Sequence, residues 1–411
     1  MTPLPQNDRL NDRRSILAGL GGFGLMGGLS ACAPATRSQS IIAPARPHFI
    51  APPLAPLRMD ARLITRTTVC LRPFRAVGPR LEVETVGDKR VVHNYGHGGS
   101  GWSLSWGSAA IAAAYAMEGG TRDVAVIGCG ALGVTAAITL QRAGAKVTIY
   151  ASERLPLRRS ARASGMWTPS SRIADADRVD AAFPALWERM ARLSWAKHQT
   201  YVGLPGEPVS FIDRYILADA ASDSSKPRPP RPAPAQKEIR FAEYEDALDD
   251  ILPHSRQLSS DEHPFPVASA RRVPVMQFNV ADLADRLTTE FLVEGGRIET
   301  RTFNTPAELT SLSQPVIVNC TGYGARALFG DDSIVPVRGQ IAWLPPQPEV
   351  RYSLYYNGVG IIPRSDGVGV QALGGGDMRG YADDNETPDR AEAEGAIARI
   401  ATLFGTQPST G

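Results

Sequence analysis

The sequence predicts an α/β fold, because three features follow one another in a single stretch of the chain. Residues 124–127 are β-branched or small and apolar, as in a buried strand. A Gly-x-Gly-x-x-Gly turn comes next at 128–133, and residues 134–143 then have the composition of a helix. A second apolar strand follows at 146–150. Strand, glycine turn, helix and strand in this order are typical of a Rossmann-type domain.

The three glycines have separate tasks in such a turn. Gly128 permits the tight bend, Gly130 lets the backbone approach a pyrophosphate, and Gly133 lets the helix pack closely on the strand. The helix N-terminus adds free N–H groups and a partial positive charge. Glu153 stands about 20 residues beyond the last glycine, where an acid for a ribose hydroxyl is expected. We therefore expect a cofactor that contains an ADP moiety.

The composition argues against several other classes of protein. The chain has 411 residues, enough for two domains, and a formal net charge of +2. Its charges are mixed in sign and no basic patch is interleaved with aromatic residues, so nucleic-acid binding is not indicated. The four cysteines, Cys32, Cys70, Cys129 and Cys320, have neither metal-ligand spacing nor a disulfide pattern. We expect no metal site.

Residues 1–32 read as an export signal rather than as part of the fold. The pair Arg13-Arg14 precedes an apolar, Gly-rich segment and is similar to a twin-arginine signal, which exports folded proteins. Residues 29–32 resemble a lipobox, in which Cys32 carries lipid and would be the only membrane anchor. An ordinary leader with a chance Arg pair and a chance Cys is the alternative. Residues 33–60 are rich in Pro and Ala and predict an extended tether. We expect the periplasm or cell envelope of a bacterium.

Further strands and helices are predicted on both sides of the glycine turn. The apolar patterns predict helices at 102–117, 179–201, 280–292 and 388–403. They predict strands at 65–71, 81–86, 211–217, 297–303, 315–322, 335–343, 355–363 and 368–376. Residues 226–234 are dominated by proline and read as a surface loop.

A second glycine-rich loop, residues 96–101, precedes the predicted helix at 102–117. Such a loop is again a place where backbone N–H groups converge on an electron-rich group. His93 and His97 lie beside and within it. We interpret both as hydrogen-bonded structural residues rather than as catalytic bases.

Several motifs taken together resemble those of one known family. They are Val126–Gly133, Tyr150-Ala151, Ala163–Trp167, Val316–Gly322, Arg338–Ile341, Ile361–Pro363, Leu71–Arg75 and His93–Gly101. On these motifs the chain is similar to the D-amino-acid oxidase family of FAD flavoproteins over residues 62–404. In that family the last two motifs close the chain, whereas here they precede the glycine turn. The order implies a circular permutant, cut between the helix near Leu403 and the strand near Thr65.

The resemblance implies a D-amino-acid-oxidase-like α/β architecture, circularly permuted. A Rossmann-type FAD-binding domain would comprise residues 86–179 and 278–335. A substrate domain with a mixed or antiparallel sheet would comprise residues 61–85, 180–277 and 336–405.

The resemblance also implies roles for single residues. Arg72 matches the arginine that holds a substrate carboxylate, and Tyr356 matches an active-site tyrosine. Gly360 stands where the family has a second carboxylate-binding tyrosine, which leaves room for a bulkier substrate. Loop 98–101 with the start of its helix matches the segment beneath the flavin pyrimidine. The cofactor-binding positions are Gly128, Gly130, Ala131, Leu132, Gly133, Ser152, Glu153, Arg154, Ala163, Ser164, Gly165, Met166, Thr321, Gly322, Gly98, Gly99, Ser100, Gly101, Trp102 and Ser103.

The implied activity is FAD-dependent oxidation of an amine or D-amino-acid-like substrate at a C–N bond, with hydride transfer to flavin N5. Oxygen or a quinone would take the electrons, and the sequence does not separate an oxidase from a dehydrogenase that feeds a membrane quinone or a protein. A catalytically silent FAD-binding envelope protein is a further alternative. A nicotinamide-dependent reductase would leave loop 96–101 and the Arg72 motif without a role.

Overall fold

The computed structural model describes residues 53–153, 158–219 and 239–405. In these ranges it contains the following strands, numbered in chain order: β1 Arg66–Arg75, β2 Val83–Val86, β3 Lys89–His93, β4 Asp123–Ile127, β5 Lys146–Ala151, β6 Val209–Ala218, β7 Arg256–Leu258, β8 Ser269–Phe278, β9 Arg297–Thr300, β10 Val316–Asn319, β11 Ile334–Leu344, β12 Tyr352–Tyr356, β13 Val359–Arg364 and β14 Gly367–Ala372. The helices are α1 Ser105–Met117, α2 Ala131–Arg142, α3 Phe183–Gln199, α4 Val280–Val293, α5 Ala325–Phe329 and α6 Arg390–Ala401.

One sheet has six strands in the order β2-β3-β10-β4-β5-β9. Strands β3, β10, β4, β5 and β9 run parallel to one another, and β2 joins the edge antiparallel to β3. Because the central strands are covered on both faces, they are apolar throughout rather than alternating. Alternate residues such as Val124 and Val126 belong to the apolar cluster that also contains residues of α1 to α4, while Ala125 and Ile127 belong to a smaller apolar cluster. This is the α/β arrangement that the sequence predicts.

The second sheet has eight strands in the order β1-β11-β14-β13-β12-β6-β8-β7. Its neighbours are antiparallel except for β6 and β12, which run parallel. One face carries Tyr215, Leu217, Leu354 and Tyr356 and packs against α6. The opposite face carries Arg72, Arg214, Gly339 and Gly360 and lines the main cavity of the molecule. The two-sided use of this sheet therefore decides which residues reach the site.

The sequence analysis does not predict strand β8. Its sequence contains Pro274, which has no N–H group to donate and weakens the pattern of a strand. In the structure Pro274 pairs with Asp213 of β6, whereas β7 pairs with β8 only at residues 270–272. The proline thus lies where β8 has a single neighbour, which is the position in a sheet that tolerates it.

The signal at 1–32 and the proline-rich loop at 226–234 lie outside the described residues. The tether prediction needs a correction at its end, because residues 53–60 pack onto the eight-stranded sheet. Leu57 and Met59 are buried there, and Ala55 accepts a hydrogen bond of 2.7 Å from the Tyr352 hydroxyl. None of the helices within the described ranges is long and apolar enough to cross a membrane.

Candidate active site

A cavity of about 700 Å³ lies between the carboxyl ends of the parallel strands and the open face of the eight-stranded sheet. Ile127 at the end of β4, Ala151 at the end of β5 and Cys320 just after β10 line one side. Gly339, Gly360 and Gln371 of the eight-stranded sheet line the other. Its volume is within the usual range for cofactor and ligand sites.

The glycines of turn 128–133 have the roles that the sequence predicts. Gly128 has a φ of +102°, and a Cβ atom there would lie 2.6 Å from the Cys320 carbonyl oxygen. A Cβ at Gly133 would lie 2.0 Å from the Gly128 carbonyl oxygen, so this residue allows the helix to approach the turn. A Cβ at Gly130 would meet nothing closer than Ser160 Oγ at 3.4 Å. The space beside Gly130 is therefore left open to the cavity.

Helix α2 presents its N-terminus to this open space. Its N-cap is Gly130, which has no side chain with which to cap the helix. The first helical backbone bond runs from Val134 N–H to the Gly130 carbonyl, at 3.0 Å. The N–H groups of Ala131, Leu132 and Gly133 have no acceptor among the described residues. Three donors at a positive helix end form a binding site for a phosphate.

In the second glycine-rich loop, fewer backbone N–H groups are free to bind a ligand than the sequence predicts. The N–H groups of Gly98, Gly99 and Ser100 donate to the carbonyls of Pro73, Ser171 and His97 at 2.8–2.9 Å. These N–H groups fix the loop against the protein and are not available to a cofactor, although Gly98 and Gly99 line the cavity. A Cβ at Gly98 would lie only 1.9 Å from the Arg172 carbonyl oxygen, so close backbone packing also requires the glycine.

The next three residues keep their donors. The N–H groups of Gly101, Trp102 and Ser103 have no acceptor among the residues that the structure describes. Gly101 and Trp102 line the cavity, and no atom lies within 4 Å of the Cβ position of Gly101. Ser103 does not line it, because its hydroxyl accepts a hydrogen bond from Thr168 N–H at 2.8 Å. The N–H groups that a ligand can reach are thus those of Gly101 and Trp102 rather than those of Gly98 and Gly99.

His97 lines the cavity as a hydrogen-bond acceptor. Ser108 donates its hydroxyl proton to Asn94 Oδ1 at 2.6 Å, so the His97 Nε2–H must donate to Ser108 Oγ at 2.8 Å. Burial lowers the pKa of His97 to about 3, and the ring is therefore neutral. Its buried Nδ1 atom has no hydrogen-bond partner.

His93 is fully buried and holds the end of β10. Asn319 donates from Nδ2 to His93 Nδ1 at 3.1 Å, and His93 Nε2 contacts Glu84 at 2.8 Å. The Asn319 Oδ1 atom accepts from the N–H and the hydroxyl of Thr321, at 3.2 and 2.8 Å. His93 therefore acts through Asn319 to position Thr321, which lines the cavity with Gly322.

The remaining predicted cofactor residues fall into two groups. Ser152, Glu153, Ala163, Ser164 and Met166 line the cavity, and Arg154 lies outside the described residues. Gly165 does not line it. With a φ of +93°, it allows residues 163–166 to pass beside the Phe278 carbonyl oxygen, which would lie 2.4 Å from a Cβ at this position.

The charge of the cavity wall is strongly positive. Among the described residues, Glu153 is the only carboxylate that lines it. Seven arginines line it as well: Arg72, Arg158, Arg159, Arg162, Arg172, Arg214 and Arg301. Arg159 and Arg162 pair with Glu386 at 2.7 and 3.3 Å. The excess of positive charge indicates anionic ligands.

Arg72 has no carboxylate partner among the described residues. Its guanidinium lies over Gly339, where a Cβ would be 2.3 Å from one of its nitrogens, and donates to the Arg338 carbonyl at 3.3 Å. Burial lowers the pKa of this guanidinium, which nevertheless stays charged at neutral pH. The nearby Arg172 differs, because it pairs with Asp377 at 3.3 Å. Arg72 therefore carries a positive charge that no described carboxylate neutralises, and it is available to bind an anionic ligand.

Tyr356 does not reach the cavity, contrary to the role assigned to it. It lies on the face of β12 that packs against α6, and its hydroxyl donates to Asp219 at 2.8 Å. Alternation along a strand places Tyr355 on the opposite face, where the Arg214 guanidinium carbon lies 5.7 Å from its ring centre. Gly360, directly opposite Tyr355, does line the cavity. Tyr355 is on the cavity side of the sheet but does not itself line the cavity.

Comparison with known proteins agrees with this site. The family described as DAO, FAD dependent oxidoreductase, matches residues 123–410. The chain belongs to this family. A D-amino-acid oxidase of Rubrobacter xylanophilus is 29% identical over 289 residues, 68% of this chain and 76% of that protein. One of Streptomyces coelicolor is 27% identical over 220 residues, 53% of this chain and 58% of that protein, which is less than two thirds of its length.

The protein is thus an FAD-dependent oxidoreductase, and FAD is its cofactor. Among solved structures, L-amino acid deaminase from Proteus vulgaris with its specific insertion sequence deleted is similar to it. The identity is 15% and the TM-score 0.44, over 69% of this chain and 74% of that one.

The cavity fits FAD on its own geometry. Besides Arg214 Nε on β6, three cavity-lining side chains among the described residues have a buried nitrogen without a partner: His97 Nδ1, Arg158 Nε and Arg159 Nη1. Buried polar atoms are normally hydrogen-bonded, so these atoms indicate a polar ligand. FAD offers a pyrophosphate for the arginines and the α2 N–H groups, and hydroxyl and N–H donors for His97. The open position beside Gly130 leaves room for the pyrophosphate.

Sequence reasoning missed the arginines other than Arg72. Arg158, Arg159 and Arg162 form a basic cluster seven or more residues after β5, and such a cluster beside a phosphate site is visible in the sequence. Arg214 was also readable, as a charged residue within a strand of apolar and aromatic residues at 211–217. Which face of β6 it occupies depends on the register with β12, and that register is not encoded locally.

Proposed function

We propose that this protein oxidises an amine or D-amino-acid-like substrate at a C–N bond. The proposal rests on one observation: Arg72 has no carboxylate partner among the described residues, and the residues after it are hydrogen-bonded to loop 96–101. The next residue, Pro73, accepts a 2.9 Å hydrogen bond from Gly98 N–H, and Phe74 forms a β-bridge with His97. A carboxylate bound to Arg72 would therefore be held beside the N–H groups of Gly101 and Trp102. The names of the oxidase relatives support the same substrate class.

The residues of this chain supply binding and orientation. When bound, FAD supplies the two-electron acceptor for a hydride from the carbon that carries nitrogen. Arg72 would hold the substrate carboxylate through two parallel N–H donors, which fixes both position and rotation. The free N–H groups of Gly101 and Trp102 and the positive end of α1 would favour negative charge in their vicinity. These effects orient the reacting groups without consuming any protein residue.

No protein base is required in this proposal. Glu153 is the only described carboxylate on the cavity wall, and it follows β5, at the cofactor half of the cavity. His97 has its Nε2–H committed to Ser108, and burial holds its pKa at about 3, too low for a base at neutral pH. The amine would therefore bind in its neutral form, and the imine product would hydrolyse in water.

Anaerobic mixing with a panel of amines and of both enantiomers of amino acids tests the proposal through loss of flavin absorbance. Arg72→Lys should lower kcat/KM for amino acids by about 10- to 100-fold, because one or more charge-assisted hydrogen bonds are lost. Arg66→Lys on the same strand, paired with Asp366 at 3.1 Å and away from the cavity, is the matched control. A purified protein without flavin absorbance would refute the assignment of the cofactor role. A flavin that no amine reduces would support the silent envelope protein instead.

The electron acceptor is a separate choice between oxygen and a quinone. A lipid anchor at Cys32, as the sequence predicts, favours a membrane quinone, while the oxidase relatives favour oxygen. Reoxidation of the substrate-reduced flavin, followed by stopped flow with air or with a soluble quinone analogue, separates the two. Oxygen should be the faster acceptor if the protein is an oxidase, and the quinone should be faster if it is a dehydrogenase.

Export and lipidation are proposed from residues 1–32 alone. Replacement of Arg13 and Arg14 by lysine should retain the protein, with its flavin, in the cytoplasm of a bacterial host. Cys32→Ala should release it from the membrane fraction without changing its flavin content. Cell fractionation measures both, and a protein that reaches the envelope with both arginines replaced contradicts the twin-arginine route.

We also infer that the chain order is a circular permutation. The family match begins at residue 123, so β1 with Arg72 and the loop at 96–101 precede it. The two chain segments that flank the proposed cut are close in space. Leu57 and Met59 pack in the same apolar cluster as Ile400 and Leu403. A rearranged chain, opened at Gly119-Gly120 and closed by a short linker from 405 to 53, should still bind FAD. Loss of folding in that chain contradicts the inference.

A further inference from the structure

Arg214 is a further cavity arginine without a carboxylate partner among the described residues, and it is remote from Arg72. It lies on β6 beside Ser353 of β12, and both residues line the cavity. Its neighbours Tyr215 and Leu217 are buried in the apolar cluster against α6. Strand alternation therefore fixes Arg214, Ser353 and Tyr355 on the cavity face, and the guanidinium lies against the ring of Tyr355.

The charge of Arg214 is not compensated by any described carboxylate. Its Nε atom is buried without a hydrogen-bond partner. The acid next to it in sequence, Asp213, is 3.5 Å from Arg272 of β8 on the other side of the strand. A half-buried cation with a buried, unbonded Nε atom is unfavourable, so its position on a cavity wall indicates a ligand that supplies the missing anion.

FAD and a single substrate carboxylate do not account for this arginine. The pyrophosphate is matched by the α2 N–H groups and by Arg158 and Arg159, and the substrate carboxylate by Arg72. Arg172 is paired with Asp377 and Arg162 with Glu386, while Arg301 directly follows β9 of the six-stranded sheet and donates to Ser311 Oγ. Arg214 remains, at the far side of Gly360, where the absence of a side chain keeps the cavity open.

We propose that the substrate carries a second carboxylate, which Arg214 binds. This inference rests on the proposed amine oxidation and adds the class of amine: an acidic amino acid with a long side chain. Arg72 lies over Gly339 of β11, and Arg214 lies beside Tyr355 of β12, three strands away in the sheet. At about 4.8 Å between strands, three strand spacings put the two guanidinium groups about 14 Å apart. Glutamate or 2-aminoadipate spans that gap better than aspartate.

The test compares acidic substrates with neutral ones of the same shape. Wild-type protein should be reduced faster by glutamate than by glutamine, and faster by 2-aminoadipate than by aspartate, in the enantiomer that reacts. Arg214→Gln should lower the ratio of kcat/KM for glutamate over glutamine by about 10- to 100-fold, because one charge-assisted contact is lost. Arg214→Lys, which keeps the charge but loses the planar fork, should restore part of that ratio. Arg271→Gln on the adjacent strand β8 removes an exposed charge outside the cavity lining and should leave the ratio unchanged.

A second readout does not depend on turnover. Glutarate should raise the melting temperature of wild-type holoprotein more than butyrate does, and Arg214→Gln should remove the difference. If no amine reduces the flavin but glutarate binding depends on Arg214, the proposed oxidation fails and the two-anion site stands. Equal reduction by glutamate and glutamine, or a ratio that Arg214→Gln leaves unchanged, overturns the inference. A preference for O-phosphoserine over both acids overturns the assignment to a carboxylate.

Discussion

Replacement of Gly130 by alanine is expected to separate cofactor binding from folding. The backbone at Gly130 has φ −82° and ψ −169°, which any residue adopts, and the nearest atom to a new Cβ is 3.4 Å away. The apoprotein should therefore lose no more than about 1 kcal/mol, the usual effect of a poorer N-cap residue. For a domain larger than 150 residues, that corresponds to a decrease in Tm of about 2–4 °C or less.

The same methyl group should strongly weaken FAD binding. It would stand in the open space in front of the N–H groups of Ala131, Leu132 and Gly133 and keep the pyrophosphate away from them. The loss of two hydrogen bonds to a charged group, at about 1.5–3 kcal/mol each, raises the Kd for FAD by at least about 100-fold. Titration of apoprotein with FAD, followed by quenching of flavin fluorescence, measures this change.

Gly133→Ala provides the contrast. Its Cβ would lie 2.0 Å from the Gly128 carbonyl oxygen, so helix and turn must separate by about 1 Å or more. Overpacking of this kind costs about 1–3 kcal/mol, and both the Tm of the apoprotein and the affinity for FAD should fall. The reasoning is refuted if Gly130→Ala binds FAD as tightly as wild type. It is also refuted if the two apoproteins melt at the same lowered temperature.

Three further predictions concern pH, the core and the size of the substrate pocket. Burial lowers the pKa of His97 to about 3 and of His198 to about 4, below the value of about 6.5 in an unfolded chain. Their stabilising contribution is therefore complete above pH 6.5, and each loses up to about 1.4 kcal/mol per pH unit as the pH falls toward 4 and 3. Urea unfolding at pH 7.5 and 5.0 should show this loss, and a flat profile contradicts it. Tyr356→Phe removes the hydroxyl contacts with Asp219 and Thr402, neither of which lines the cavity, so it should lower stability by about 1 kcal/mol and leave the rate of flavin reduction unchanged. A slower rate in stopped flow would support a catalytic role. Gly360→Tyr should disfavour bulky substrates relative to alanine, and an unchanged ratio of kcat/KM for phenylalanine over alanine would place the substrate elsewhere.

Local sequence was sufficient for the cofactor half of the site. Gly128 acts through its positive φ angle, and all three glycines act through their missing Cβ atoms, so their spacing carries the information. The long apolar strands and the helices α2 and α4 were also predicted within a few residues. Their apolar residues recur at the spacing with which each element faces the core. The prediction of a parallel strand at 315–322 is confirmed by β10, which pairs with β3 and β4.

The substrate half required the tertiary structure. Tyr355 and Tyr356 are adjacent in a motif, and only the packing of α6 on one face of the sheet decides which of them faces the cavity. The N–H groups of loop 98–100 look available in the sequence, but carbonyls of Pro73 and Ser171 occupy two of them, and these lie on other parts of the chain.

The sequence alone therefore determined the class of fold and predicted a cofactor with an ADP moiety, because both depend on residues that act near their own place in the chain. The role of Arg72 stays a prediction that the family resemblance implies. The tertiary structure decided which donors remain free, which tyrosine is buried, and that Arg214 faces the same cavity as Arg72. Those properties depend on strand register and on which face of a sheet another element covers. The sequence of a strand fixes only that successive side chains point to opposite faces of the sheet. The fold decides which of the two faces lines the site.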